Sequence, residues 1–147
     1  MTDEEVMRLA IAEAKQTTDD VPVGAVVVKN EQVIAVAHNT RELLNNPIAH
    51  AEMLVMQKAA QVIGNRRLTG CTLYVTLEPC PMCAGAMMMA GLSKCVFGAY
   101  DVQYGCCGSL YHLPMDPAFP HRVPCVGGVL QQECEALLAS FFALKRL

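Results

Sequence analysis

The 147-residue sequence lacks several features that mark secreted, membrane-spanning or repetitive proteins. No apolar run approaches the roughly 20 residues that a membrane span requires. Acidic residues, Asp3, Glu4 and Glu5, stand near the N-terminus, where a secretory signal would carry a basic segment. We find no internal repeat, low-complexity tract or linker, and the hydrophobic content of 53% can fill a core. These observations predict a single soluble, cytoplasmic domain over residues 1–147 with no membrane association.

The sequence also lacks an excess of basic charge. Eleven Lys and Arg residues against 14 Asp and Glu residues give a net charge of −3, with a pI near 5.7. Phosphate binding rests on basic surface, so the total charge does not favour a nucleic-acid partner. A local basic patch remains compatible with it, and a small substrate remains an alternative.

Eight cysteines are present, and they raise the question of disulfide bonds. Their scattered positions in a chain without an export signal favour reduced thiols. We expect six of them to pack in the interior as small apolar residues: Cys71, Cys95, Cys106, Cys107, Cys125 and Cys134. The run Met87-Met88-Met89 is expected to fill a core or a subunit contact.

The remaining two cysteines belong to a pattern typical of a catalytic zinc site. His50 and Glu52 are two residues apart, and Cys80 and Cys83 follow in a Pro-Cys-Pro-Met-Cys run. A catalytic zinc ion takes three protein ligands from His and Cys and leaves a fourth position for water. His50, Cys80 and Cys83 are therefore the predicted Zn²⁺ ligands, and Glu52 is the predicted acid/base group.

The spacing of these residues predicts their local structure. Residues two apart point to nearly opposite sides of a regular helix, so His50 should lie at an irregular helix start and Glu52 in the first turn. Asn46 and Pro47 indicate such a start, and Gly64 indicates the helix end. Cys80 and Cys83 would share one face of a second helix that Pro81 begins, where the helix N-terminus favours a thiolate.

The hydrophobic pattern predicts alternating strands and helices. A capping box of Thr2 and Glu5 indicates a first helix, and a hairpin of two strands follows. The predicted strands are 23–28, 33–37, 73–77, 95–98 and 123–126, and the later helices are 49–63, 81–90 and 130–145. This order predicts an α/β fold, a three-layer αβα sandwich whose mixed five-stranded sheet starts as a hairpin and continues parallel. The metal would lie where helix N-termini meet at one end of the sheet.

The same motifs carry a resemblance to a known family. They read VPVGAVVV at 21–28, HN at 38–39, AHAE at 49–52, LYVTLEPCPMCAGAM at 73–87, FGA at 97–99, CGSL at 107–110, HR at 121–122, FF at 141–142 and KR at 145–146. His-x-Glu followed by Pro-Cys-x-x-Cys is the known signature of the zinc deaminases. In order and over essentially the whole chain, the sequence resembles bacterial tRNA-specific adenosine deaminases of the cytidine and deoxycytidylate deaminase superfamily.

The resemblance implies a fold, a reaction and partners. It implies a cytidine deaminase-like fold, a homodimer, and conversion of the wobble adenosine of a tRNA anticodon stem-loop to inosine by zinc-activated water, with Glu52 as the proton shuttle. Asn39 matches the family's base-binding asparagine, Asp101 an acid that meets the RNA loop backbone, and Lys145 and Arg146 its basic C-terminal helix. The sequence departs from the family at Tyr100, Gln103 and Pro120, where relatives often carry a charged residue, a lysine and an asparagine.

Two alternatives remain open from the sequence. The same zinc site could deaminate a free nucleobase or nucleoside of the guanine or cytosine type, which predicts ammonia release from a free base. Alternatively, the zinc could be structural in a binding module, which predicts a fourth protein ligand and no functional effect of replacing Glu52.

Overall fold

A computed structural model describes residues 1–145, in which a mixed five-stranded sheet lies between two layers of helices. Its strands are β1 (Gly24–Lys29), β2 (Gln32–His38), β3 (Cys71–Leu77), β4 (Lys94–Ala99) and β5 (Cys125–Val126). The strand order in the sheet is β2-β1-β3-β4-β5. β1 pairs antiparallel with both β2 and β3, whereas β3, β4 and β5 are parallel.

Helices cover both faces of this sheet. They are α1 (Asp3–Ala14), the short α2 (Arg41–Leu44), α3 (Ala51–Ile63), α4 (Pro81–Ala90) and α5 (Gln131–Lys145), with one 3-10 turn at Leu113–Met115. Within residues 1–145, none of these helices combines the length and the apolar character that crossing a membrane requires.

Alternation along the strands divides the core into two clusters. Val26, Tyr74 and Val96 are partners across β1, β3 and β4, and they face α1 and α5. The intervening positions, such as Leu73 and Val75, face α3 and α4 in the larger cluster. Complete burial of such a side chain contributes about 1.5–3 kcal/mol, so both faces of the sheet stabilise the fold.

Close approach of α1 to the sheet depends on Gly24. A Cβ atom at this position would lie 2.0 Å from the carbonyl oxygen of Ala10 and 2.5 Å from the backbone nitrogen of Ala14. Only glycine therefore lets the helix backbone contact the start of β1. The other end of α1 carries the predicted capping box, in which Thr2 and Glu5 each accept a hydrogen bond from the other's backbone N–H.

Most predicted elements are confirmed, with three differences. The sheet does not continue parallel directly after the hairpin, because β3 pairs antiparallel with β1, the inner strand of the hairpin. The strands β2 and β3 run in the same direction but are not neighbours. The helix α3 begins at Ala51, two residues later than predicted, because the Asn46 side chain accepts the N–H of Ile48 in a separate turn. His50 is the N-cap residue, which agrees with its predicted place at the helix start. The helix α2 was not predicted.

The cysteines outside the zinc motif lie where the sequence placed them. All eight cysteines are free thiols. Four of the six lie in the larger core cluster and Cys134 in the smaller one, while Cys125 is partly buried against the larger cluster. Met87 is fully buried, whereas 81% of Met89 is exposed.

Candidate metal centre and active site

Two helix N-termini bring the predicted zinc ligands together. His50 is the N-cap residue of α3, Cys80 is the N-cap residue of α4, and Cys83 lies in the first turn of α4. The Nδ1 atom of His50 lies 3.8 Å from the sulfur of Cys80 and 3.6 Å from that of Cys83. The three ligand atoms all lie within 4.8 Å of one another, which places them to hold one metal ion. We call these residues the metal triad.

Local sequence explains this convergence. His50 and Cys80 both have extended backbone conformations, so their side chains leave the chain before the regular helix begins. Pro81 occupies the first turn of α4, where its missing N–H costs nothing. Because α3 follows β2 and α4 follows β3, and these strands run in the same direction, both N-termini lie at one edge of the sheet.

The donor set fits zinc. One imidazole nitrogen and two sulfurs are borderline-soft ligands, which zinc prefers over oxygen. A hydrogen bond with Cys83 is the largest cause that lowers the pKa of Cys80 to about 4. The same hydrogen bond and then burial raise the pKa of Cys83, and hydrogen bonding to Cys80 raises the pKa of His50. The triad therefore offers a thiolate to a cation at neutral pH.

Glu52 lies beside the metal triad without belonging to it. It occupies the first turn of α3, as the spacing predicted, and its side chain is 4% exposed. Burial is the main cause that raises the pKa of Glu52 to about 7. A carboxyl group with such a pKa can accept and return a proton near neutral pH.

A pocket of about 830 Å³ opens onto these groups. His50, Glu52 and Cys80 line it together with Asn39 and residues of the 100–104 loop. Helix α5 contributes Leu138 and Phe142 to the lining. Pockets of roughly 300–1,000 Å³ hold drug-sized ligands, so this one has room for a base together with neighbouring groups.

The structure places Asn39 in this pocket, where its amide also holds the backbone. Its Oδ1 accepts the N–H of Ala51, at the start of α3, over 2.8 Å, and its Nδ2 donates to the carbonyl of Val21 over 2.8 Å. An amide has two N–H donors, so one of them remains for a ligand. The same side chain therefore fixes the start of the helix that carries His50 and Glu52.

The remaining predicted substrate residues are distributed more widely. Asp101 lines the pocket, and its Oδ1 accepts the N–H groups of Gln103 and Tyr104, which orders its own loop. Lys145 is exposed at the end of α5, where its ammonium lies 5.6 Å from the centre of the Phe141 ring, and it does not line the pocket. Arg146 lies outside the described residues.

Sequence reasoning missed two carboxylates beside the pocket. Asp20 is buried and accepts hydrogen bonds from Arg41, a pocket-lining residue, and Glu78 is buried against the 101–109 loop. Glu78 belongs to the LEPC run of the zinc motif, but its partners are 23 to 31 residues away. No periodicity or spacing in a single sequence indicates such pairs.

Comparisons with known proteins agree with this geometry. The family model of the cytidine and deoxycytidylate deaminase zinc-binding region matches residues 1–99. The chain is 51% identical to a tRNA-specific adenosine deaminase of Bacillus subtilis (strain 168), over 95% of this chain and 88% of the relative. The chain belongs to the tRNA-specific adenosine deaminases. A second member, from Aquifex aeolicus (strain VF5), is 40% identical over 97% of this chain and 95% of its own.

A solved structure of this family has the same fold. It comes from a study of A-to-I editing by tRNA:A34 deaminases at the wobble position of transfer RNA. The two chains superpose with a TM-score of 0.88 at 38% identity, over 91% of this chain and 99% of the other. The predicted cytidine deaminase-like fold is confirmed, and so is the prediction of a hydrolytic deaminase whose cofactor is zinc.

Proposed function

We propose that this chain hydrolyses the amino group at C6 of the wobble adenosine in a tRNA anticodon loop, which leaves inosine and releases ammonia. The observation that carries the proposal is a pocket lined by His50 and Cys80 of the metal triad, a buried Glu52 and three exposed aromatic rings, those of Tyr100, Tyr104 and Phe142. Proteins read single-stranded RNA loops by stacking their unpaired bases on such rings. The tRNA-specific relatives support the same substrate.

In this proposal His50, Cys80 and Cys83 are the zinc ligands. Within the described residues the metal-binding group has three members and no fourth, which supports a catalytic site over a structural one. When bound there, zinc supplies Lewis-acid chemistry that lowers the pKa of a coordinated water toward neutrality. Asn39 keeps the N-terminus of α3 in place through Ala51 and so holds the imidazole of His50 toward the two sulfurs.

Glu52 moves the protons. Its carboxylate accepts a proton from the attacking water and delivers it to the ring nitrogen next to the reacting carbon. It then transfers the proton of the newly added hydroxyl to the amino group, which leaves as ammonia while the oxygen remains as the carbonyl of inosine. Its pKa of about 7 suits both transfers, because the group can be either protonated or ionised at neutral pH. Burial of the side chain excludes bulk water from this exchange.

Four residues are proposed to contact the RNA. Asn39 would use its free N–H to hold the flipped base, and Asp101 would meet the loop backbone from the 100–104 segment. Lys145 would approach the phosphates from the end of α5, which also brings Phe142 to the pocket. Arg146, the next residue in the sequence, is proposed to contribute a second basic side chain to the same contact. Alanine at Lys145 and Arg146 should weaken RNA binding and its salt dependence without changing kcat.

The proposed reaction is tested with an anticodon stem-loop RNA beside free bases. Zinc-loaded protein is incubated with a stem-loop that has adenosine at the wobble position, with a matched stem-loop that has guanosine there, and with free adenine, guanine and cytosine. Inosine is measured by mass spectrometry after nuclease digestion, and ammonia is measured separately. We expect inosine from the first RNA alone. If ammonia is released from a free base and no inosine forms in the RNA, the small-substrate alternative is established instead.

Glu52→Gln separates catalysis from metal binding in the same assay. General acid–base catalysis contributes roughly 10²- to 10⁴-fold, so the variant should lose at least about 100-fold in rate. Its zinc content, measured by elemental analysis, should match that of the wild-type protein, because Glu52 is not a ligand. A fully active Glu52→Gln protein would contradict the role given to this carboxylate.

We further propose a homodimer formed through apolar side chains near α4. Met89 is 81% exposed on α4, and Leu43, Leu44 and Ile48 are exposed on the segment before α3. Contiguous patches of exposed apolar side chains are typical of protein–protein interaction surfaces. Light scattering should give twice the chain mass, and Met89→Glu should reduce it to one chain. Leu9→Glu, which places the same charge on exposed α1, is the control that should stay dimeric.

Residues 1–147 are proposed to form one cytoplasmic domain. The two core clusters share the same sheet, which supports a single cooperative unit, and all eight cysteines are free thiols, which is typical of a reducing compartment. Coincident unfolding curves from circular dichroism and fluorescence would support one domain. Fractionation of cells that produce the protein would test its location.

A further inference from the structure

A buried carboxylate next to the metal-binding turn has no role in the chemistry described above. Glu78 follows β3 and precedes Pro79 and Cys80, and its side chain is 2% exposed. Within the part of the chain that the structure describes, Glu78 forms no ion pair. Removing a charge from water is costly unless hydrogen bonds compensate, so such a carboxylate needs a specific set of donors.

The donors all come from one loop. Oε1 of Glu78 accepts the N–H of Asp101 over 3.0 Å and the hydroxyl of Ser109, and Oε2 accepts the N–H groups of Cys107 over 3.0 Å and Ser109 over 2.9 Å. These donors lie near the two ends of the 100–109 segment. One carboxylate therefore holds both ends of this segment at the same point.

The 100–109 segment is also fitted sterically around Glu78. A Cβ atom on Gly105 would lie 2.5 Å from Oε1 of Glu78 and 2.4 Å from the carbonyl oxygen of Asp101. No other residue fits there without displacing the carboxylate or the loop backbone. In addition, the N–H of Cys106 donates to the carbonyl of Pro79, which ties the segment to the turn that carries Cys80.

The part of the segment between these contacts faces the pocket. Residues 100–104 line it, and three of their side chains are mostly or substantially exposed: Val102 at 79%, Tyr104 at 61% and Tyr100 at 45%. Tyr100 also packs edge-on against Phe97, with the ring centres 5.0 Å apart. Val102 and Tyr104 are more exposed and gain little from packing, so the backbone bonds to Glu78 and Asp101 determine their positions. A substrate larger than one base would meet this surface.

We propose that Glu78 is a positioning residue that sets the shape of the 100–109 segment as the substrate-facing wall of the pocket. This inference rests on the proposed function, since the wall acts on the RNA around the reacting base. Glu78 itself lines the pocket, but both of its carboxylate oxygens accept hydrogen bonds from the loop, so we assign it an action through the loop and not on the reacting atoms. Its replacement should therefore weaken RNA binding more than it slows the chemical step.

The test compares Glu78→Gln with a matched variant, Glu133→Gln. The amide that Glu78→Gln introduces would turn an N–H donor toward backbone N–H groups, so at least two acceptor bonds are lost. We expect Glu78→Gln to raise KM for the stem-loop RNA at least about tenfold, with kcat changed less than about threefold and zinc content unchanged. Glu133 lies on α5 in an exposed pair with Arg8, and Glu133→Gln should leave both constants unchanged.

Two further variants and a proteolysis measurement also test the inference. Ser109→Ala removes only the hydroxyl bond to Glu78, so it should give a smaller rise in KM in a protein that still folds, and Glu78→Asp should retain more affinity than Glu78→Gln. Chymotrypsin should cleave after Tyr104 faster in Glu78→Gln than in the wild-type protein, because the segment is released.

The outcomes separate this inference from the proposed function. Wild-type protein that makes no inosine would overturn the proposed function, and this inference with it. If the wild-type protein is active and KM is unchanged in Glu78→Gln, only the inference is overturned. The inference is likewise overturned if Glu78→Gln has a lower zinc content or a lower kcat but an unchanged KM. If Glu78→Gln does not fold, Ser109→Ala decides, and an unchanged KM in that variant overturns the inference.

Discussion

Replacing Asp20 with asparagine probes how the segment before the metal triad is held. Oδ1 of Asp20 accepts the N–H of Val21 at 2.8 Å and the guanidinium of Arg41 at 2.5 and 3.1 Å. Oδ2 accepts the backbone N–H groups of Arg41 at 2.8 Å and Glu42 at 3.3 Å. The side chain is almost fully buried, so water cannot replace these partners.

The size of the effect follows from the bonds that asparagine cannot make. Asparagine keeps one acceptor oxygen. Its Nδ2 would face either the backbone N–H groups of Arg41 and Glu42, or the Arg41 guanidinium and the N–H of Val21. Hydrogen bonds to charged groups contribute about 1.5–3 kcal/mol each. Because Arg41 is partly exposed, water can replace part of its lost hydrogen bonding. We therefore expect a net loss of about 2–3 kcal/mol in the free energy of unfolding. For a chain of this length the loss corresponds to roughly 5–10 °C in Tm.

The loss should depend on pH in a defined direction. Burial alone would raise the pKa of Asp20, but hydrogen bonds from Arg41 and from the backbone of Glu42 and Val21 outweigh it and hold the pKa below its ordinary value of 3.8. A depressed folded-state pKa stabilises the protein above the unfolded-state pKa, and this stability is lost as the pH falls through the folded-state value. The difference between wild type and Asp20→Asn should therefore be constant above about pH 5 and shrink below 3.8.

Urea unfolding of zinc-loaded protein, followed by circular dichroism between pH 3 and pH 8, measures this difference. Asp19→Asn is the control, because Asp19 is exposed, its φ of 55° suits asparagine, and the same charge is removed. A loss below about 0.5 kcal/mol relative to Asp19→Asn at pH 7, or a difference that grows as the pH falls, would refute the reasoning.

Three other perturbations have clear expected outcomes. Gly24→Ala forces a methyl group against the backbone of Ala10 and should lower the free energy of unfolding by about 3 kcal/mol or more, as measured by urea unfolding; an effect below about 1 kcal/mol would contradict the close contact. Tyr74→Phe removes the hydroxyl that donates to Asp3 over 2.8 Å and should cost about 1 kcal/mol in the same assay, with activity unchanged. Stripping zinc with a chelator should lower Tm and abolish deamination, and added Zn²⁺ should restore both. Thiol labelling followed by mass spectrometry should modify the pocket-lining sulfur of Cys80 only after stripping.

Much of the fold could be predicted because its signals are local. The capping box at Thr2, the Pro81 start and Gly91 end of α4, and the continuous apolar run of β1 are each contained within one element. The start of α3 could not be placed from Asn46 and Pro47, since the asparagine side chain closes its own turn before the helix begins.

The sequence by itself determined the donor chemistry of this protein. His50, Cys80 and Cys83 are residue types that bind zinc, and the position of Glu52 relative to His50 requires a helix start between them. Only the tertiary structure decided what surrounds that site. Asp20 meets Arg41, Asn39 meets Ala51, and Glu78 meets Ser109 across 12 to 31 residues, because the sheet brings separate loops to the same edge. Hydrogen bonds of that range leave no periodic pattern in the chain, so their partners become known only when the backbone is folded.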